Sequence, residues 1–74
     1  MIKFNIKLEA SDIKEFINIT SNLDCDVDLV KGRYIVDAKS VMGVFALDLS
    51  SPVELVIHSD DKSLEDPFLK WLVL

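Results

Sequence analysis

The chain is short, acidic and rich in hydrophobic residues. It has 74 residues, half of them hydrophobic, and a formal net charge of −5 at pH 7. This length predicts a single domain, residues 1–74, with one compact core. A nucleic-acid-binding protein would carry a basic stripe, whereas the lysines and the arginine are scattered here. Neither nucleic acid nor an anionic membrane surface is therefore an expected partner.

Other classes are excluded by what the sequence lacks. Cys25 is the only cysteine, so no internal disulfide can form and no zinc site can be built on thiolates. No apolar run reaches the ~18 residues that span a bilayer, and the N-terminus has no signal-peptide pattern. A cytoplasmic location is expected.

The first half of the chain changes from a strand pattern to a helix pattern and back. Residues 2–8 alternate apolar and polar side chains, which predicts a strand with one buried face. Helical spacing follows from about residue 12 to 22, and Asp12 with Glu15 has the spacing of a capping box. Two β-rich runs, 25–30 and 33–38, flank Lys31-Gly32, which predicts a hairpin.

The second half predicts a short helix, a strand and a last helix. Ser40 precedes the apolar segment 41–47 and can cap a helix there. Residues 53–57 alternate as a fourth strand. A last helix follows, with Ser63 or Asp66 as its cap and Pro67 at the first helical position in the second case. Phe68, Leu69, Trp71 and Leu72 would cover the sheet. The order βαββαβα predicts a two-layer α+β sandwich.

One segment of the chain resembles a known family. Asp37-Ala38-Lys39-Ser40-Val41-Met42-Gly43-Val44 is similar to the AKSIMG segment that opens the second helix of HPr proteins, the phosphocarriers of the bacterial sugar phosphotransferase system. Residues 24–29 and 53–57 resemble that family's second and fourth strands. The resemblance covers roughly residues 2–72. It implies an open-faced β-sandwich with a four-stranded antiparallel sheet and three helices on one face.

The chain departs from the family at the phosphorylation site. HPr phosphocarriers have a GLHARP-type segment before the first helix, and its His carries the phosphoryl group. Counting back from Leu29 without gaps places Glu9 at the position of that His and Ser11 at that of the Arg. Glu9, Asp12 and Glu15 are three negative charges that would repel a phosphoryl donor. The sequence therefore predicts no catalytic residue, and the chain is not expected to be an enzyme.

The resemblance implies two candidate sites on the second helix. Gram-positive relatives are phosphorylated by a dedicated kinase at the serine that matches Ser40, although a plain helix cap explains a serine equally well. The family's matching apolar residues form a docking patch, here Val41, Met42, Phe45 and Leu47, with core packing as the alternative for Leu47. A family member that lacks the His and keeps the Ser is similar in this respect to the catabolite-repression HPr of bacilli. Protein partners of that class would be HPr serine kinase or a catabolite-repression regulator.

Two further functions stay open at this level. The first is a phosphocarrier that uses an atypical acceptor, either Glu9 or His58, although an exposed or hydrogen-bonded histidine is the ordinary expectation for His58. The second is a degenerate structural domain of unrelated role. Glu9 could also imitate a phosphorylated His or simply favour the helix dipole. No metal or cofactor is expected, and the chain is predicted to be a monomer or a weak dimer.

Overall fold

The computed structural model describes residues 1–73. Its four strands are β1 (Ile2–Ile6), β2 (Val27–Lys31), β3 (Tyr34–Asp37) and β4 (Val53–Ile57). They form one antiparallel sheet in the spatial order β1-β4-β2-β3. The helices are α1 (Ile13–Ser21), α2 (Val41–Ala46) and a C-terminal 3-10 helix (Lys62–Trp71), and a single 3-10 turn (Ala10–Asp12) precedes α1. The predicted α+β fold, with four antiparallel strands and three helices, is confirmed.

The core lies between one face of the sheet and the helices. Period-two alternation directs every second strand residue toward this face, among them Ile6, Leu29 and Leu55, which are fully buried. An aromatic cluster closes the core on the helix side. The ring of Phe16 on α1 is 5.7 Å from that of Phe68 and 5.8 Å from that of Trp71. Both contacts are edge-to-face, a geometry that aromatic rings favour.

The hairpin between β2 and β3 depends on one glycine. Lys31 pairs with Tyr34, so the loop consists of Gly32 and Arg33 alone. Gly32 has φ of +60°, which glycine adopts without a steric penalty. Glycine at the first loop position with positive φ is typical of a type II′ turn, whose twist matches that of the flanking strands. The predicted hairpin is confirmed.

The two edges of the sheet differ. The C-terminal segment covers the outer edge of β1: the Lys7 N–H donates to the Trp71 carbonyl at 2.9 Å, and the Val73 N–H donates to the Asn5 carbonyl at 3.0 Å. Ile6 also forms an isolated bridge with Leu72. Within residues 1–73, no strand or segment pairs with the outer side of β3 in this way.

The last helix was predicted incorrectly in type and start. It is a 3-10 helix whose cap is Asp61, which accepts the Ser63 N–H at 3.1 Å, and Pro67 lies inside it. A proline inside an α-helix would remove an i→i−4 hydrogen bond and clash with the preceding turn, which favours the i→i−3 pattern here. Leu69 and Leu72 are exposed, so only Phe68 and Trp71 of the predicted four bury their side chains in the core.

Two smaller boundaries also differ from the prediction. The first strand ends at Ile6 instead of residue 8, and β2 begins at Val27 instead of residue 25. The capping box lies one turn earlier than predicted, because Asp12 accepts the N–H of Glu9 at 2.8 Å and makes no side-chain cap bond to α1.

Candidate functional site

Ser40 caps α2. Its backbone is extended, and its Oγ accepts the Gly43 N–H at 3.1 Å, which satisfies one of the helix's otherwise unpaired donors. Lys39 beside it is held in place, since its Nζ donates to the Leu23 carbonyl at 2.8 Å. Ser40 is only partly exposed. The predicted cap is confirmed, and its hydroxyl lies where an attached phosphate would meet the N-terminus of a short helix.

Three apolar side chains of α2 are directed to solvent. The exposed fraction is 49% for Val41, 85% for Met42 and 55% for Phe45. We call these three residues the α2 face. The helix has only six residues, and Val44 is the one whose side chain is buried in the core. This buried side chain anchors the helix on the domain. Exposed Met and aromatic side chains are enriched in surfaces that bind proteins.

Leu47 does not belong to this face. Its exposed fraction is 8%, and it packs in the core. The chain leaves helical geometry at Leu47, which has extended φ and ψ, and this turns its side chain away from the exposed side of α2. The prediction that Leu47 binds a partner is therefore corrected.

Glu9 lies at the start of the 3-10 turn that leads into α1. Its carboxylate is exposed and pairs with Lys7, with 3.3 Å between Lys7 Nζ and Glu9 Oε1. Glu15 pairs with Lys70 across the molecule. The expected cluster of three uncompensated carboxylates is thus partly neutralised by two lysines, neither of which the sequence pattern singled out. Both ion pairs are exposed, and pairs of this kind contribute little to stability.

His58 faces the open side of the sheet. Its Nε2 is 2.8 Å from Asp28 Oδ2, so one ring nitrogen is already engaged by a carboxylate. It follows β4, on the same face as Val56 and away from the helix layer. The expectation of an exposed, hydrogen-bonded histidine is confirmed, and the structure places His58 and Glu9 on different elements.

A groove of about 700 Å³ lies between the β2–β3 hairpin and the end of α2. Tyr34 from the hairpin and Ala46 from α2 are among its lining residues, together with Lys31 and Asp48. Hydrogen bonds from the hydroxyl and N–H of Ser50, with the charge of Lys31, lower the pKa of Asp48. Lys31 also donates to the Asp48 carbonyl and the Ser51 hydroxyl, which fixes this loop. No pattern in the sequence indicates this groove.

No set of side chains suitable for a metal ion occurs within residues 1–73. In the same range no helix has the length and apolar character to cross a membrane.

A family model described as the PTS HPr component phosphorylation site matches residues 1–68. The chain therefore belongs to the HPr family of the phosphotransferase system. Proteins of this family interact with other proteins of that system and are not themselves catalytic enzymes.

Two solved structures share the fold. HPr-C-His from Thermoanaerobacter tengcongensis is 24% identical with a TM-score of 0.81, and the match covers 95% of this chain and 89% of that one. Crh, the catabolite repression containing protein of Bacillus subtilis, is 24% identical with a TM-score of 0.68, over 93% of this chain and 83% of that one. That Crh structure is an intertwined dimer with a swapping domain. A comparison with curated proteins finds no match.

Proposed function

We propose that the chain is a non-catalytic HPr-family module that binds a protein partner through the α2 face. The observation that carries this proposal is the exposure of Val41, Met42 and Phe45 on a helix of six residues. Leaving three large apolar side chains in water forfeits the free energy of burying them. A protein partner that covers them recovers this free energy, and aromatic and Met side chains are favoured in such contacts.

The surroundings of Glu9 and His58 support the same proposal. At the predicted position of the family's His the chain has Glu9, whose carboxylate pairs with Lys7. A carboxylate that accepts a phosphoryl group needs several donors around the transferred oxygens. Glu9 has one lysine beside it, while Asp12 faces the same turn and adds negative charge. His58 lies on another element and is engaged by Asp28. Neither side chain has the surroundings of a phosphoryl acceptor.

Ser40 is the proposed switch of this contact. A phosphate on its Oγ would add about −1.5 to −2 charges at the N-terminus of α2. The helix dipole favours an anion there by about 0.3–1 kcal/mol. Because Val41 and Met42 follow directly in the chain, the new charge would lie beside the α2 face. It would favour a partner with a basic surface at that point and disfavour an apolar or acidic one.

A binding titration tests the docking proposal. The ¹⁵N-labelled chain is titrated with purified HPr serine kinase, and the dissociation constants of Met42→Lys and Phe45→Lys are compared with the parent's. Each variant should bind at least ~10-fold more weakly, the usual effect of removing an apolar anchor. Leu69→Lys is the matched control, since Leu69 is also an exposed apolar residue but lies on the C-terminal helix. The proposal is contradicted if all three variants lose the same affinity for the kinase, or if none of them loses affinity.

The switch is tested separately by mass spectrometry after incubation with the same kinase and ATP. One phosphate should be added to the parent and none to Ser40→Ala, while Ser11→Ala, an exposed serine near α1, should be modified like the parent. A parent chain that gains no phosphate on Ser40 removes the switch but leaves the docking proposal to its own test.

A further inference from the structure

The outer edge of β3 is the exposed edge of the sheet. The segment after the C-terminal 3-10 helix covers the edge of β1, but β3 has β2 on one side only. Two large apolar side chains of this strand are in water: the exposed fraction is 66% for Tyr34 and 68% for Ile35. An edge strand of this kind presents backbone donors and acceptors on which another strand can pair.

The register shows which backbone groups of β3 face outward. The Ala38 N–H donates to the Val27 carbonyl at 2.9 Å, so residue 38 is hydrogen-bonded toward β2. In an antiparallel ladder the hydrogen-bonded positions recur at every second residue, so Val36 and Tyr34 also bond toward β2. The alternate residues Ile35 and Asp37 therefore direct their N–H and C=O groups to the outer edge. Arg33, in the loop, continues the same alternation.

The two ends of this edge carry opposite charges that no ion pair neutralises within residues 1–73. Arg33 is the only arginine of the chain, is exposed, and forms no ion pair or hydrogen bond within residues 1–73. Asp37 lies directly opposite Asp28 in the register, an unfavourable pairing of like charges. Asp37 accepts the Lys39 N–H at 2.9 Å, but no cationic side chain in the described part of the chain neutralises it.

We propose that β3 pairs antiparallel with β3 of a second copy of this chain, which gives a two-fold symmetric dimer with a continuous sheet of eight strands. In the register we assign, Ile35 lies opposite Ile35 of the second copy and Tyr34 lies opposite Val36. Arg33 of each copy then lies opposite Asp37 of the other. A two-fold axis requires a self-complementary surface, and this strand has one because its end charges are opposite.

Three features select this register over its neighbours. It places the outward N–H and C=O groups of Ile35 opposite one another, as a hydrogen-bonded pair requires. Residues 33 to 37 of one copy all lie opposite residues 33 to 37 of the other. Every outward-facing backbone group in this range therefore faces the second strand. It brings each arginine beside the carboxylate that already opposes Asp28. A shift by two residues in either direction loses both contacts between Arg33 and Asp37.

The hairpin end of β3 borders the groove of about 700 Å³, whose lining includes both Tyr34 and Ala46, so open space lies between this end of the strand and the end of α2. The proposed dimer also does not use the α2 face, which lies on another element. A failure of the dimer proposal therefore leaves the docking proposal intact, and the reverse is also true.

Sedimentation equilibrium of the full chain tests the proposal, over concentrations from ~10 μM to ~1 mM, the range of weak self-association. We expect a reversible dimer. Arg33→Glu and Asp37→Lys should each weaken dimerisation at least ~10-fold, which corresponds to ~1.4 kcal/mol. A mixture of these two variants should dimerise at least as tightly as the parent, because each then meets an opposite charge. Lys3→Glu and Asp24→Lys are controls that change the net charge by the same amounts at exposed positions away from β3.

Amide hydrogen exchange provides a second readout that is independent of the charge changes. As the concentration rises, the outward N–H of Ile35 should become protected from exchange, while the N–H of Val36, bonded to β2, should not change. A chain that stays monomeric up to ~1 mM overturns the proposal. A dimer that the two β3 variants and the two controls affect equally, or one without new protection at Ile35, overturns it as well.

Discussion

Removal of the side-chain cap of α2 should lower the free energy of unfolding by the contribution of one hydrogen bond. In Ser40→Ala the Gly43 N–H loses its 3.1 Å acceptor at the first turn of a six-residue helix. Losing such a cap costs about 1 kcal/mol, within a range of about 0.5–2 kcal/mol. The melting temperature should fall by about 4–8 °C for each kcal/mol in a domain of this size. Ser40→Asp should change stability by less than ~0.5 kcal/mol, since Asp caps a helix as well as Ser does.

Urea unfolding followed by tryptophan fluorescence measures this difference. Trp71 is the only tryptophan and is 7% exposed beside Phe16 and Phe68, so its emission reports loss of the core. Ser11→Ala is the control, because this exposed serine makes no side-chain hydrogen bond within the described residues. The reasoning is refuted if Ser40→Ala matches the control, or if Ser40→Asp loses as much stability as Ser40→Ala. The second result would also disqualify Ser40→Asp as a mimic of phosphorylation.

Three further predictions concern stability and use the same unfolding assay. Thr20 is fully buried and donates to the Ala38 carbonyl at 2.9 Å, so Thr20→Val should cost about 1–3 kcal/mol, whereas Thr20→Ser should keep most of the stability. Gly32→Ala meets no atom within 4 Å but must adopt a φ of +60°, so it should cost about 1–2 kcal/mol, with a smaller cost for Gly32→Asn. Hydrogen bonds from Ser63 lower the pKa of Asp61 below its ordinary value of 3.8. The stabilising contribution of Asp61 is therefore present above that value and is lost as the pH falls through the lowered pKa, so Asp61→Asn should show a shallower loss of stability in acid. Unchanged stability in Thr20→Val or Gly32→Ala, or an unchanged acid limb in Asp61→Asn, would contradict the corresponding argument.

Much of the fold could be predicted from local patterns. Period-two alternation located the first and fourth strands, β-rich composition on either side of Lys31-Gly32 located the second and third, and the change to helical spacing located α1. The cap of α2 could also be predicted from the sequence, because a serine directly before a short apolar segment has few other structural roles. These features depend on neighbours within a few residues along the chain.

The errors concern features that only the tertiary structure decides. Pro67 fits the first turn of an α-helix, but the helix is a 3-10 helix capped by Asp61, five residues before the predicted cap Asp66 and two before the alternative cap Ser63. Leu47 fits the α2 pattern, but the chain leaves helical geometry there and buries it.

Part of the candidate site could not be predicted for the same reason. Lys70 reaches Glu15 from 55 residues away in sequence, so no local pattern shows that this carboxylate is paired. The outward-facing groups of β3 likewise follow from the strand order, in which β3 is an edge although it lies in the middle of the chain. Charge patterns therefore predicted which side chains are present at the first helix, but not which of them neutralise each other.

We propose that this chain keeps the HPr scaffold without its phosphoryl chemistry. Incubation with the first enzyme of the phosphotransferase system and labelled phosphoenolpyruvate tests it most directly, with a His-containing HPr phosphocarrier as the positive control in the same tube. We predict label on the control protein and none on this chain. Label on this chain that is lost in Glu9→Gln or in His58→Ala would identify a working acceptor and contradict the account.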